Sequence, residues 1–407
     1  MAEPADRTAA DAGDIAVLRL KRHEERRLLA GHLWVFSNEI DTDATPLTAF
    51  EPGAIVAIES DRGRFLGFGY VNPHSLISAR ILSRDPARRP GEALIAARLR
   101  RALALRQRFS REPFYRLVHG EGDGLPGLVV DRYGGTLVAQ LGTAGMERLK
   151  GTVLAALVEV VAPECVVFKN DSGARALEGL DSYVECALGT LPEAVEVREN
   201  GASFRAPLAS GQKTGWFYDQ AANRRQFLEL ATGSRRVLDV FSYVGAWGVQ
   251  AARQGGEVLC VDSSAGALEA AAANAARNGV ALATRKADAF AALEELAAGA
   301  ERFDLVIVDP PAFIKRRKDA PKGEAAYRRL NQLAIRLLAD DGLLVSCSCS
   351  YHLEPQALVE AIQAGARHHG RFAQVLASGG QAPDHPVHPA IPESRYLKAF
   401  LCRLTQD

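Results

Sequence analysis

The chain has 407 residues, with 49 Lys and Arg against 49 Asp and Glu, 47% hydrophobic residues and 6 Cys. This length suits two or three domains with a sizeable core. The composition excludes an intrinsically disordered chain. The few, unevenly spaced Cys exclude a disulfide scaffold and predict reduced thiols and a cytoplasmic location. No apolar run reaches the ~18 residues of a membrane helix, so no membrane partner is expected. The balanced charge leaves any nucleic-acid steering to local basic patches.

Residues 1–14, MAEPADRTAADAGD, are acidic and lack an apolar stretch, so they read as a disordered tail rather than a leader. Residues 15–90 hold short β-rich runs (IAVLRL, AIVAIES, RFLGFGYV, SLISARIL) punctuated by Gly and Pro. That texture predicts a small barrel or compact sheet. Residues 91–192 open with EALIAARLRRALALRQRFS, whose apolar positions follow the helical period. Strand-like runs around a Gly-rich turn follow, which predicts a central α+β domain.

Residues 193–407 begin with VEVRENGASFRAPL, where Asn200-Gly201 between alternating runs signals a hairpin. Strands RRVLDVF, GEVLCVD, ALATRKA, FDLVIVD and GLLVSCS then alternate with helices over Gly245–Gln254, Ala265–Asn278, Phe290–Ala298, Glu324–Leu338 and Glu354–His369. This order predicts an α/β fold, a mostly parallel Rossmann-like sheet with helices on both faces. FAQVLAS and YLKAFLCRL add expected edge strands, and the latter is an edge that could support a homodimer.

In such a sheet the ligand crevice lies at the carboxyl ends of the strands. The first strand ends at Asp239 to Phe241 and leads into Ser242, Tyr243 and Gly245 before a helix. The second ends at Asp262, placed to hold a ribose. FSYVGAWG has too few glycines to cradle a pyrophosphate, so the expected ligand is a nucleoside without a diphosphate, which S-adenosyl-L-methionine (SAM) satisfies. Asp288 ends the third strand, either as a helix N-cap or as an acceptor for an adenine amino group. Asp309-Pro310-Pro311 makes a rigid turn that can present a carboxylate to a base edge. The fifth strand ends in SCSCSY; Cys347 and Cys349 are two apart and so expected on one side, and no metal site is expected at that spacing. A thiolate at this place can attack an aromatic carbon. Gln212, Lys213, Thr214 and Gly215 precede Trp216, Phe217 and Tyr218 in a segment placed to cover the ligand. Two basic clusters are candidates for RNA phosphates: Lys315 to Lys318, and the arginines at 98, 100, 101, 106, 108 and 111, the latter read first as a solvated helix face.

From about Val17 onward the chain resembles the bacterial PUA-domain-containing, SAM-dependent 23S rRNA cytosine-5 methyltransferases. HLWVFSNEI and GRFLGFGYVNPHSLISARILS resemble the PUA module, and VHGEGDGLPGLVVDRYG the central domain. ENGASFRAPLASGQKTGWFYDQAANR, LDVFSYVGAWGVQAA, DPPAF, SCSCSYH and DHPVHPAIPESRYLKAFL resemble the class I methyltransferase domain. Two departures are Ala312, where relatives often carry Lys, and Leu33, where Pro is usual.

The resemblance implies that Asp239, Phe241, Ser242, Tyr243 and Gly245 wrap the methionine part of SAM. Asp262 with Ser263 would hold the ribose, and Asp288 the adenine edge. Gln212, Lys213, Thr214, Gly215 and Phe217 would close the site, and Asp309 would border the cofactor and orient the cytosine. The family nucleophile lies in a Ser-Cys-Ser triplet. Both Ser346-Cys347-Ser348 and Ser348-Cys349-Ser350 fit, and counting from the strand favours Cys349. The implied partner is large-subunit rRNA. Methylation of another rRNA base, such as a guanine ring nitrogen, a non-catalytic SAM-bound assembly factor, and a small-molecule or protein methyltransferase are the competing readings.

Overall fold

The computed structural model describes residues 15–208 and 214–406. The first sheet contains β1 (Ala16–Arg19), β2 (Trp34–Val35), β3 (Ala54–Glu59), β4 (Phe65–Val71) and β5 (Ala79–Ser83), in the order β1-β3-β4-β5-β2. A bridge between Leu20 and Ile40, just beyond its two edge strands, curls it towards a barrel. Its interior is Leu18, Val35, Val56, Ile58 and Ile81.

The second sheet comprises β6 (Phe114–His119), β7 (Leu128–Tyr133), β8 (Thr136–Leu141), β9 (Cys165–Asn170) and β10 (Tyr183–Leu188). The strands lie in chain sequence, antiparallel except for the β8–β9 pair. Helices α2 (Glu92–Gln107) and α4 (Lys150–Val161) pack on it through Ile95, Leu99, Val153 and Leu157; the short α1 (Arg26–Leu29) and α3 (Ala144–Arg148) precede them in the chain. The hairpin β11 (Ala194–Glu199) and β12 (Ala202–Pro207) turns at Asn200 and Gly201, both at positive φ (51° and 76°), as its Asn-Gly pair predicts.

The third sheet has seven strands: β13 (Arg236–Val240), β14 (Glu257–Asp262), β15 (Ala283–Lys286), β16 (Phe303–Val308), β17 (Leu338–Ser348), β18 (Arg371–Gly379) and β19 (Lys398–Gln406). Their order is β15-β14-β13-β16-β17-β19-β18, with β19 antiparallel to both of its neighbours. Helices α5 (Ala221–Leu230), α6 (Ala246–Arg253) and α7 (Ala265–Arg277) cover one face, and α8 (Ala289–Ala298), α9 (Ala320–Arg336) and α10 (Pro355–His368) the other. Cover on both faces is why β13 and β16 are near-continuous apolar runs. α9 begins at Ala320, ahead of the expected Glu324, because Pro321 falls in the first turn, where its missing N–H costs nothing.

One expectation is corrected. YLKAFLCRL is not an edge: β19 lies between β17 and β18, with Ala399, Leu401, Cys402 and Leu404 fully buried. Apolar side chains on both faces earn the interior place. The free edge belongs to β18, whose Phe372, Val375 and Leu376 are about half exposed. A homodimer built through this sheet therefore cannot use β19.

Candidate active site

The crevice is built at the carboxyl ends of β13, β14, β15, β16 and β17. After Val240 the chain makes a tight turn with Phe241 at φ 64°, Tyr243 at 47° and Gly245 at 82°. Positive φ at a non-glycine residue costs about 1–3 kcal/mol and persists only where surroundings hold it. Here the Phe241 and Ser242 amides donate to the Val261 carbonyl at 2.9 and 3.2 Å, and the Tyr243 amide donates to Asp262 Oδ2 at 2.9 Å. Gly245 is required on two counts: its φ, and a neighbour, Ala271 Cβ, that would lie 3.0 Å from any Cβ placed there.

Asp239 is buried beneath the turn. Its Oδ2 accepts from the Gly248 amide at 2.9 Å, while Oδ1 has no hydrogen-bond partner among the described residues. Burial pushes its carboxyl up to about 7, and the nearby Asp309 and Asp262 carboxylates add to the rise. A buried oxygen left unpaired is uncommon, and it fits a ligand that brings a donor, such as the ammonium of SAM's methionine part.

Asp262 Oδ1 accepts from the Ser264 amide at 2.9 Å, so both carboxylate oxygens are fixed at the β14 end. Ser263 beside it is exposed. Asp288 is the N-cap of α8, with Oδ1 accepting from the Phe290 and Ala291 amides at 3.0 and 3.1 Å. The N-cap alternative for Asp288 is therefore present in the structure.

The covering segment packs over this turn. Gln212 and Lys213 lie outside the described residues. The Tyr243 hydroxyl donates to the Gly215 carbonyl at 3.2 Å, and the Phe217 and Tyr243 rings meet edge to face at 5.6 Å. The Thr214 hydroxyl donates to Asp131 of the second sheet. A buried pair anchors the segment: Glu199 accepts from Arg224 Nε and Nη2, from Trp216 Nε1 at 2.9 Å and from Gln250 Nε2 at 2.9 Å.

Asp309 follows β16. Gln220 Nε2 donates to its Oδ1 at 2.9 Å and Trp247 Nε1 to its Oδ2 at 3.1 Å. Burial raises its carboxyl to about 6 despite these donors.

The two cysteines of the SCSCSY run are separated by their settings. Cys347 is fully buried within β17, packed with the α5 and α6 core, and burial pushes its thiol well up. The strand ends at Ser348, so Cys349 stands beyond it, and the two-residue alternation expected to put both thiols on one side does not extend to it. Cys349 is half-buried, with Sγ 3.9 Å from the Pro310 carbonyl of the Asp309-Pro310-Pro311 turn. Tyr327 of α9 grips both flanking serines: Ser348 Oγ donates to its hydroxyl at 2.8 Å, and Ser350 Oγ lies 2.9 Å from it. Ser350 Oγ also accepts from the Ile314 amide at 3.1 Å, tying the Cys349 turn to the segment after Asp309.

Sequence reasoning passed over Gln220, Trp247 and Tyr327, although all sit in quoted or helical segments. No local signal marks them, because their partners are far away in the chain. The basic clusters divide. Lys315 to Lys318 are all exposed. Arg106, expected on a solvated helix face, is instead fully buried, paired with Asp123 and donating to the Asp384 carbonyl at 2.6 Å. That contact joins α2 to the segment leading into β19, so Arg106 is structural.

Comparison with known proteins agrees with this architecture. The PUA-like domain family matches residues 18–84, and the S-adenosylmethionine-dependent methyltransferase family matches residues 174–403. Proteins named ribosomal RNA large subunit methyltransferase I from Shigella boydii and Escherichia coli are 33% identical over 399 residues, covering 95% of this chain and 99% of theirs. A protein from Streptococcus mutans described as a SAM-dependent methyltransferase has the same fold, with a TM-score of 0.79 at 21% identity over 96% of this chain and 100% of that one. A second solved methyltransferase, complexed with SAH, gives 0.80 at the same identity and coverage. With the two family matches and a 33% identity that spans 95% of the chain in agreement, the chain belongs to the S-adenosylmethionine-dependent methyltransferases that carry an N-terminal PUA-like domain, and its cofactor is SAM.

Proposed function

We propose that this protein methylates carbon 5 of a cytosine in large-subunit ribosomal RNA in the cytoplasm, through a covalent adduct with Cys349. The observation that carries the reading is the placement of a half-buried thiol against the Asp309-Pro310 turn, with both flanking serines held by Tyr327. A nitrogen methyltransferase needs no nucleophile there. The names of the full-length relatives support an rRNA substrate, and the PUA-like domain supports RNA binding.

When bound, SAM supplies an electrophilic methyl group. Asp239, Phe241, Ser242, Tyr243 and Gly245 would hold its methionine part, Asp262 and Ser263 its ribose, and Asp288 the adenine edge. Thr214, Gly215 and Phe217 would cover it, together with Gln212 and Lys213. Carbon 5 of cytosine is a poor nucleophile. Addition of the Cys349 thiolate at carbon 6 converts it into an enamine carbon. Asp309, held by Gln220 and Trp247, would accept from the exocyclic amino group and fix the ring over the thiol. Once carbon 5 carries the methyl group, a base takes the carbon-5 proton and the thiolate leaves carbon 6, which restores the ring double bond. The target base must leave its stack to enter the crevice, and the exposed Lys315 to Lys318 loop is placed to hold flanking phosphates.

The test is SAM-dependent tritium release from rRNA labelled at carbon 5 of cytosine. Cys349→Ala is expected to abolish release while SAM binding persists. Methyl incorporation without tritium release would move the chemistry to another atom. Full release by Cys349→Ala would remove Cys349 from the mechanism.

A further inference from the structure

Lys398 is the first residue of β19, which pairs with β17 on the side away from β16. In the antiparallel register it lies opposite Ser348, the residue before Cys349. It is 7% exposed. Its Nζ donates to the Tyr396 carbonyl at 2.9 Å and to the Ser350 carbonyl, the residue after Cys349. The ammonium therefore straddles the Cys349 turn.

A buried ammonium is costly unless an opposite charge compensates it. Among the described residues Lys398 forms no ion pair with a carboxylate, and both of its hydrogen-bond acceptors are neutral carbonyls. Two groups that act on it electrostatically can carry negative charge, Cys349 and Glu354. Glu354 is exposed, so water screens it. Among the described residues, Cys349 also acts on Tyr327, Tyr396 and Cys347, each of which burial holds in its neutral form. Among the described residues, Cys349 is the remaining group whose ionised form would compensate the ammonium. A cation beside a thiol lowers its pKa.

We propose that Lys398 is a positioning residue for Cys349: its ammonium favours the thiolate, and its two carbonyl bonds hold the turn that presents the sulfur to carbon 6. This rests on the reading of Cys349 as the nucleophile. Ionisation releases the thiol proton to solvent, and Lys398 stays protonated throughout. Burial draws the Lys398 ammonium down to about 8, so the charge is in place at neutral pH.

The experiment is the pH dependence of Cys349 alkylation by iodoacetamide in the full chain, without RNA, read by peptide mass spectrometry. The wild-type midpoint is expected below the value of about 8.5 of an unperturbed thiol. Lys398→Met, which keeps the buried stem, should raise the midpoint by a unit or more, slowing alkylation at pH 7 roughly tenfold. Lys398→Arg should restore it. A wild-type midpoint at or above 8.5, or a folded Lys398→Met with an unchanged midpoint, overturns the proposal. If Lys398→Met does not fold, the wild-type and Lys398→Arg midpoints still decide. The nucleophile reading fails separately, on tritium release by Cys349→Ala, because alkylation requires no turnover.

Discussion

Replacing Trp247 by Phe isolates the electrostatics of Asp309. The substitution removes one of two side-chain donors to the buried carboxylate, the 3.1 Å bond to Oδ2, and leaves the Gln220 bond to Oδ1. A hydrogen bond to a charged group contributes about 1.5–3 kcal/mol, and one pKa unit corresponds to about 1.36 kcal/mol. Loss of the donor should therefore raise the Asp309 carboxyl by about 1–2 units from its position near 6. The sign follows from the role proposed for it. Ionised Asp309 is the stronger acceptor for the cytosine amino group, so activity rises with pH through its pKa. The acid limb of the kcat/KM profile should move from about 6 in the wild type to about 7–8 in the variant. Activity at pH 6.5 should then fall roughly tenfold, with recovery at pH 8.5. SAM affinity, measured by calorimetry, serves as the control for a merely structural effect. An acid limb that stays put while activity falls uniformly at every pH would refute the argument.

Glu199→Gln should cost about 3–5 kcal/mol in urea unfolding, because it leaves the Arg224 guanidinium buried without its counter-charge. The double variant Glu199→Leu with Arg224→Met should recover much of that loss, whereas a single-variant cost below about 1 kcal/mol would mean that solvent reaches the pair. Gly245→Ala should weaken SAM binding and destabilise the protein by about 1–3 kcal/mol, since both the φ of 82° and the Ala271 contact oppose a methyl group. An unchanged SAM affinity in that variant would show that the turn relaxes without disturbing the site.

What local pattern encodes was legible. The Asn200-Gly201 hairpin, the alternation of β13 to β17 with helices, and the N-cap geometry of Asp288 all depend on residues a few positions apart. The resemblance carried the cofactor for the same reason, since its motifs are contiguous segments. Residues 209–213, which include Gln212 and Lys213, lie outside the described structure.

The remainder depended on packing between segments distant in the chain. Two overlapping Ser-Cys-Ser triplets look alike in sequence, yet β17 ends between their cysteines, and Tyr327 reaches both serines of only the second. Arg106 carries the same charge as its exposed neighbours, but a carbonyl 278 residues away buries it. YLKAFLCRL reads as an edge until β18 pairs outside it. Lys398 is an ordinary lysine in an apolar strand until the β17–β19 register sets it against the Cys349 turn. By itself the sequence determined the elements, the parallel character of the sheet's strand–helix part and the residue types at its carboxyl edge. Tertiary structure decided which thiol is accessible, which carboxylate is held by two donors and which cation is buried beside the sulfur. Burial and electrostatic field are properties of neighbours in space, and chain spacing does not encode them.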